Sequence, residues 1–460
     1  MKLWKRMIVV LLASLLCCGM FSGCAKEDTV GPLTVYVEGC TPDYMAEATR
    51  VFKSTYPDVE IVIRQIDAET EEEEEQQYTA LKTELMAGTG PDVVLIGNGF
   101  AHYTDINKAM AAGNFIDLNP YFEKDESWSW DDYNTTVIDA FELDGKQYLM
   151  PLYYDVWTTV SEKSLLEKYG FNVDNCSTGK GLLEEIAKYY EQSAADETMP
   201  QLFQYTDSWY RYIIDVMGLN PLDHTKKTVA FSEDFAPMLD TYKIVYPFDR
   251  HATLERYLNS KAKYSTDGLA LEEFLLYGWY GHTSLRAMGE AQLITDFGEP
   301  VVLPFYNYGS SDTSAQIQLS VGVTASSPRK QMAYTFVKAL MGETALTQEK
   351  TTSDGRPTSY EVSCPVNNQA LKKIWKLKEL DKAYTAAVGS SATVVHLKAL
   401  DESYLTDLME WNSKVTHVFY ACGSENGNVI SYFEDYLEGE MNYEEALAKA
   451  ENTLKIYISE

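Results

Sequence analysis

The chain has 460 residues and a formal net charge of −31, long enough for two or three domains and a sizeable core. So acidic a surface repels nucleic acid and anionic lipid headgroups, so neither is expected as a partner held by charge. A small solute remains open as a ligand.

Lys2, Lys5 and Arg6 form a positive start, residues 7–16 are an almost unbroken apolar run, and Phe21-Ser22-Gly23-Cys24 sets two small residues before a cysteine. A positive start, a short apolar core and small residues at a cut mark a secretory signal. The run is shorter than the ~20 residues of a membrane-crossing helix. The cysteine extends the reading to a bacterial lipobox. Residues 1–23 are then a lipoprotein signal, Cys24 the lipidated first residue, and 24–32 an anchored linker. Membrane contact is expected through that anchor alone. Of the seven cysteines, Cys17, Cys18 and Cys24 belong to this start. Cys40, Cys176, Cys364 and Cys422 are widely spaced, with no CxxC pair. Export permits pairing, but four cysteines allow three connectivities, and free thiols remain equally open.

Residues 33–37 read as a strand, followed by a turn at Gly39-Cys40-Thr41-Pro42 and by Met45, Ala48, Val51 and Phe52 at helical spacing. Tyr56-Pro57-Asp58 ends that helix, and 59–63 reads as a second strand. A long helix follows, with Tyr78, Leu81, Leu85 and Met86 on one face. Its acidic start, Glu71 to Glu75, suits a helix N-terminus and reads as a solvated first turn. Gly88-Thr89-Gly90-Pro91 stops it. Val93-Val94-Leu95-Ile96 is apolar throughout, as in a strand covered on both faces. This strand and helix alternation implies a parallel sheet with right-handed crossovers. Ligands approach such sheets at the carboxyl ends of strands, here Gly39-Cys40-Thr41 and Gly97-Asn98-Gly99.

Asp144-Gly145-Lys146 reads as a hairpin turn running into Tyr148-Leu149-Met150-Pro151. Helical patterns cover 182–190 and 235–245, strand signals return at 301–304 and 319–323, and a helix spans 332–341. The last helix opens at Asn442 with Glu445 three residues on, a capping-box spacing, and its apolar stripe is Ala446, Ala450, Leu454 and Ile458.

The segment Leu85-Met86-Ala87-Gly88-Thr89-Gly90-Pro91-Asp92-Val93-Val94 resembles the helix–turn–strand junction of the family 1 extracellular solute-binding proteins. So, in the same order, do Phe115-Ile116-Asp117-Leu118-Asn119-Pro120-Tyr121, Asp144-Gly145-Lys146-Gln147-Tyr148-Leu149-Met150-Pro151 and Tyr443-Glu444-Glu445-Ala446-Leu447, with Cys364-Pro365-Val366-Asn367 in weaker support. These are sugar-binding partners of ATP-driven importers, the maltose-binding type being best known. After Pro151 the family often continues towards Tyr-Asn-Lys, where this chain has Val160-Ser161-Glu162-Lys163. The resemblance implies an α/β fold of the periplasmic-binding-protein type. Two lobes, each a mostly parallel sheet flanked by helices, would be joined by a hinge. It implies 33–149 with 301–346 as lobe one, and 150–300 with 347–460 as lobe two. It further implies a monomer that hands a small ligand, a carbohydrate first, to the permease subunits of an ABC importer.

A sugar needs aromatic platforms for its C–H faces and fixed polar groups for its hydroxyls. The candidates are Asn98, just past a strand end, Tyr153, Tyr154, Asp155 and Trp157 after the first crossing, Trp209 and Tyr210, Trp279 and Tyr280 before Gly281, and Tyr306. For each aromatic, core packing is the competing reading. Asp155 beside Trp157 would equally serve a polyamine. Arg286 reads as a surface ion pair before a contact to an acidic sugar.

Catalytic signatures are missing from the sequence. There is no Gly-x-Ser-x-Gly elbow, no His-Glu-x-x-His pair and no Gly-x-x-x-x-Gly-Lys loop. Gly97-Asn98-Gly99 has His102 where a dinucleotide fingerprint needs its third glycine. No metal, cofactor or catalytic residue is therefore expected. An exported glycoside-active enzyme and a sensor-linked binding module stay open as alternatives.

Overall fold

The computed structural model describes residues 31–37, 45–66, 70–97, 105–196, 198–203, 207–250, 274–276, 287–288, 291, 294–295, 298–347, 363–374, 383–388, 391–396, 402–420 and 428–459. The chain begins with β1 (Leu33–Val37), α1 (Ala46–Thr55), β2 (Ile61–Gln65), α2 (Glu71–Ala87) and β3 (Val93–Gly97). β1 pairs in parallel with β2 on one side and β3 on the other. β2 starts two residues later than its apolar run, because β1 fixes the register with Leu33 opposite Ile61 and Val37 opposite Gln65. Arg64 on its polar end then forks onto the Glu84 carboxylate of α2 at 2.7 and 3.2 Å. Thr70 caps α2 by accepting from the Glu73 N–H at 3.2 Å, and Gly88 ends it at φ 73°. Glu72, Glu73 and Glu75 are exposed, as a solvated first turn requires. All of β3 is buried. The short helix α3 (Ile106–Ala111) follows.

β4 (Glu142–Leu143) and β5 (Lys146–Gln147) form a two-residue hairpin. Its turn residues Asp144 and Gly145 stand at φ 53° and 73°, the left-handed pair such a turn demands. The chain then runs through β6 (Leu149–Val156), crosses at Trp157 and continues as β7 (Thr158–Glu162). Next come α4 (Gly179–Ala195), β8 (Gln201–Phe203), α5 (Asp207–Val216), β9 (Leu222–Asp223), β10 (Thr228–Val229), α6 (Phe235–Arg250) and β11 (Phe274–Leu276). The return is made by β12 (Pro300–Pro304), antiparallel to β7, and the long β13 (Thr313–Val323). Then follow α7 (Lys330–Met341), β14 (Cys364–Pro365), the hairpin β15 (Ala383–Val388) and β16 (Ser391–His396), α8 (Glu402–Ser413), β17 (Val415–Phe419) and α9 (Tyr443–Ser459), with short helices between them. Asn442 accepts from the Glu445 N–H at 3.0 Å, and the stripe Ala446, Ala450, Leu454 and Ile458 is buried.

The main sheet runs β14-β6-β13-β3-β1-β2, with β17 parallel to the start of β13. It is mixed: β13 is antiparallel to both β3 and β6, because the chain returns through it without a crossover helix. Two large apolar clusters form. One gathers β1, β3, β6, the apolar positions of β13 from Ala315 to Val323 and α7, and takes in Cys364, Val366, Leu371, Leu408 and Trp411. The other gathers Trp157, α4, α5, α6, Leu303, Phe305, Tyr308, Phe419 and α9. Each fully buried large apolar side chain contributes roughly 1.5–3 kcal/mol, so each cluster carries the material of a core of its own. Among the described residues no helix is long and apolar enough to cross a membrane.

Candidate binding crevice

β13 carries the geometry of the site. Leu319 lies opposite Gly97, the last residue of β3, so the earlier residues of β13 extend beyond the carboxyl ends of β3 and β1. Open α/β sheets hold ligands at that edge. There Gln316 is buried and Gln318 is half-buried. The indole Nε1 of Trp157 donates to Gln316 Oε1 at 2.8 Å, and the Gln318 amide donates to the same oxygen at 3.3 Å. The Trp157 ring stands edge-on to Tyr212 at 5.8 Å, Phe419 at 6.2 Å and Phe305 at 6.4 Å. Its carbonyl accepts from the Phe305 N–H at 2.8 Å, tying the two crossing segments together. Trp157 is thus fixed by ring contacts, an indole bond and a backbone bond, and is 5% exposed. Tyr212 on α5, half-buried, offers a second ring beside it.

The neighbouring candidates divide. Tyr153 and Tyr154 are packing residues and not open platforms: both are sealed in the first core. The Tyr153 hydroxyl donates to the Leu346 carbonyl at 2.8 Å, and the Tyr154 oxygen accepts from the Asn134 amide at 3.2 Å. Burial raises the Tyr154 hydroxyl well above its usual range. Asp155 is fully buried too. Ser363 Oγ donates to its Oδ2 at 2.8 Å, and Oδ1 meets no hydrogen-bond partner of normal geometry among the described residues. Burial pushes this carboxyl well above its ordinary value, against the opposing pull of the Ser363 hydroxyl, the Cys364 N–H and the Gln318 amide. A sealed carboxyl, already bonded by Ser363, is out of reach of an amine guest.

Tyr306 is half-buried, and its backbone bridges to Thr313. Beside it Asn307 is structural: Nδ2 donates to Thr416 Oγ1 at 2.9 Å, and Oδ1 accepts from Ser314 Oγ at 2.7 Å. Asn307 also lines a separate recess of about 400 Å³ with Asn220, Asp234, Asp312 and His417. Trp209 and Tyr210 fall on α5, but their side chains, like Asn98, Trp279, Tyr280, Arg286, Cys24, Cys40 and Cys422, lie outside the described residues. Cys176 and Cys364 are buried and form no disulfide among the described residues, and burial pushes the Cys176 thiol up to about 12. Among the described residues no three His, Cys, Asp or Glu side chains converge as a metal site would need.

Sequence reading passed over Gln316, Gln318, Tyr212 and Phe419. A signal for the glutamines existed. Ser314, Gln316, Gln318 and Ser320 recur at every second position of an otherwise apolar strand, which writes a polar face at period two.

A family model described as "Bacterial extracellular solute-binding protein" matches residues 39–347. Solved structures share the fold at low identity. An ABC substrate-binding protein from Listeria monocytogenes, in complex with cycloalternan, is 18% identical at a TM-score of 0.55 and covers 93% of this chain and 99% of its own. The GacH receptor of Streptomyces glaucescens, solved unliganded and with acarbose, is 14% identical at 0.56, covering 94% and 100%. An ABC transporter solute-binding protein from Thermotoga lettingae, bound with alpha-D-tagatose, is 16% identical at 0.51, covering 93% and 100%.

Proposed function

Given that this chain belongs to the bacterial extracellular solute-binding protein family, we propose that it captures a neutral sugar or oligosaccharide between two lobes and delivers it to an ABC importer. The single observation that carries the ligand class is the wall at the carboxyl edge of the sheet. There a fixed Trp157 ring and the half-buried Tyr212 ring stand beside the Gln318 amide. Rings stack on C–H faces, and amides both donate to and accept from hydroxyls. The cycloalternan, acarbose and tagatose bound by the fold neighbours support the same class. The full burial of Asp155 weighs against a polyamine, whose amines need accessible carboxylates. The family and its neighbours bind solutes, so this reading has the guest leave unchanged and names no catalytic residue.

In this proposal lobe one is built on 33–149 with 301–346, and lobe two on 150–300 with 347–460. Core membership supports moving the crossings to Trp157, to residues 305–312 and to β17. Leu152, Tyr153 and Tyr154 pack with the first core, as do Cys364, Val366 and Leu371, whereas Leu303, Phe305 and Tyr308 pack with the second. Closure about such crossings is a two-state hinge motion that a bridging guest favours. The family is extracytoplasmic, and the lipobox-like Phe21-Ser22-Gly23-Cys24 supports retention at the membrane by a lipid on Cys24. The test is a thermal-shift screen of neutral mono- and oligosaccharides against spermidine. A ligand at about 100 times its dissociation constant stabilises by ~2.7 kcal/mol. Stabilisation by spermidine and by no sugar would overturn the ligand class.

A further inference from the structure

Away from the Trp157 wall, the two cores touch through polar groups at α3. This helix buries Ile106, Ala109 and Met110 in the first core and turns its other side to elements of the second. Asp105 at its start uses both carboxylate oxygens. Oδ1 accepts from the Lys108 N–H at 3.1 Å, and Oδ2 accepts from the Tyr457 hydroxyl of α9 at 2.5 Å. Lys108 Nζ sits 4.8 Å over the same tyrosine ring. Asn107 also uses both ends. Its Oδ1 accepts from the Tyr420 hydroxyl at 2.6 Å, which leaves Nδ2 facing His224 Nε2 at 3.1 Å across the gap. With Nδ2 as the donor, Nε2 accepts, as the nitrogen of a neutral imidazole does. His224 and Tyr457 meet edge to face at 6.2 Å, so the β9–β10 hairpin and α9 present one joint surface to α3. Tyr457 is only 4% exposed as a result.

We propose that Asp105, Asn107, His224 and Tyr457 form a clasp that holds the lobes together before any guest arrives, and that protonation of His224 releases it. The inference rests on the two-lobed solute-binding reading and adds to it a built-in bias and a pH-controlled release. A protonated Nε2 would turn an N–H towards the Asn107 N–H₂ and break the bridge. The charged groups acting on His224 are Asp105 from α3 and Asp223 from its own hairpin, with the Tyr457 ring of α9 packed against it. Burial is the largest influence and holds the imidazole below its usual range, although Asp105 and Asp223 pull upward. The sign follows: the clasped state disfavours the proton, so clasping is fully present above the ordinary histidine range near 6.5 and is lost as pH falls.

Small-angle X-ray scattering of the purified, unliganded protein tests this at neutral pH and at about pH 5, where histidine is charged. Wild type should expand on acidification. Asn107→Leu and Tyr457→Phe should be expanded already at neutral pH. His224→Gln should stay compact at both, because an amide oxygen accepts at either pH. Tyr457→Phe removes one hydroxyl and decides the matter alone if Asn107→Leu fails to fold. Wild-type scattering from both clasp variants would overturn the clasp, and expansion of His224→Gln in acid would overturn the histidine trigger. No ligand is needed, so a failed clasp and a failed sugar-binding reading give different results.

Discussion

The indole N–H of Trp157 is held by Gln316 Oε1 at 2.8 Å, and the Gln318 amide bonds the same oxygen at 3.3 Å. The polar edge of the ring is therefore already spent, and under the proposed function the ring would offer a guest its surface alone. Trp157→Ala should weaken sugar binding at least tenfold, about 1.4 kcal/mol, as read by calorimetry. Trp157→Phe keeps a ring but leaves Gln316 Oε1 with the Gln318 amide alone. It should keep more affinity than the alanine variant while lowering stability by roughly 0.5–1.5 kcal/mol in denaturant unfolding.

Asp155 gives a pH signature. Its folded-state carboxyl titrates well above the ordinary value because it is buried. Stability is then full below the unfolded value near 3.9 and declines as pH rises through the window towards the folded value. Asp155→Asn, which keeps the shape and an acceptor for Ser363, should match wild type near pH 4 and exceed it at neutral pH. Equal melting temperatures across the range would show that the acid is charged and satisfied.

Asp125 should behave in the opposite sense. Burial raises its carboxyl, but Lys338, Ser127 and Tyr334 outweigh this and hold it well below the usual range. Its contribution is present above about pH 4 and lost as pH falls. Asp125→Asn should destabilise at neutral pH, with the gap from wild type closing in acid unfolding curves.

Gly179 marks where α4 docks on the return segment. Its N–H donates to the Asn307 carbonyl at 3.0 Å, and a Cβ there would stand 2.2 Å from the Tyr306 carbonyl oxygen. Gly179→Ala should cost roughly 1–3 kcal/mol of stability, measured in denaturant, because backbone and not a flexible side chain must move.

Much of the fold was legible because its signals are local. Thr70 to Gly88, the Asp144-Gly145 turn and the Asn442 cap are written within a few residues of where they act. The register of β2 was less legible, since partner strand β1 sets it and not its own apolar run. The crevice was harder still. Trp157 keeps a ring contact to the half-buried Tyr212, whereas Tyr153, Tyr154 and Asp155 are sealed, a difference in cover that sequence does not write. The partners of Trp157 are 159 residues away at Gln316 and further at Phe419, separations at which no local pattern pairs residues.

The most direct measurement is calorimetric titration of wild type and Trp157→Ala with a panel of neutral oligosaccharides, followed by recovery of the sugar. A solute binder of the proposed kind takes up at least one sugar, loses it in the alanine variant, and returns it chemically unchanged. A panel with no binder, equal affinity in the two proteins, or a sugar recovered cleaved would contradict it.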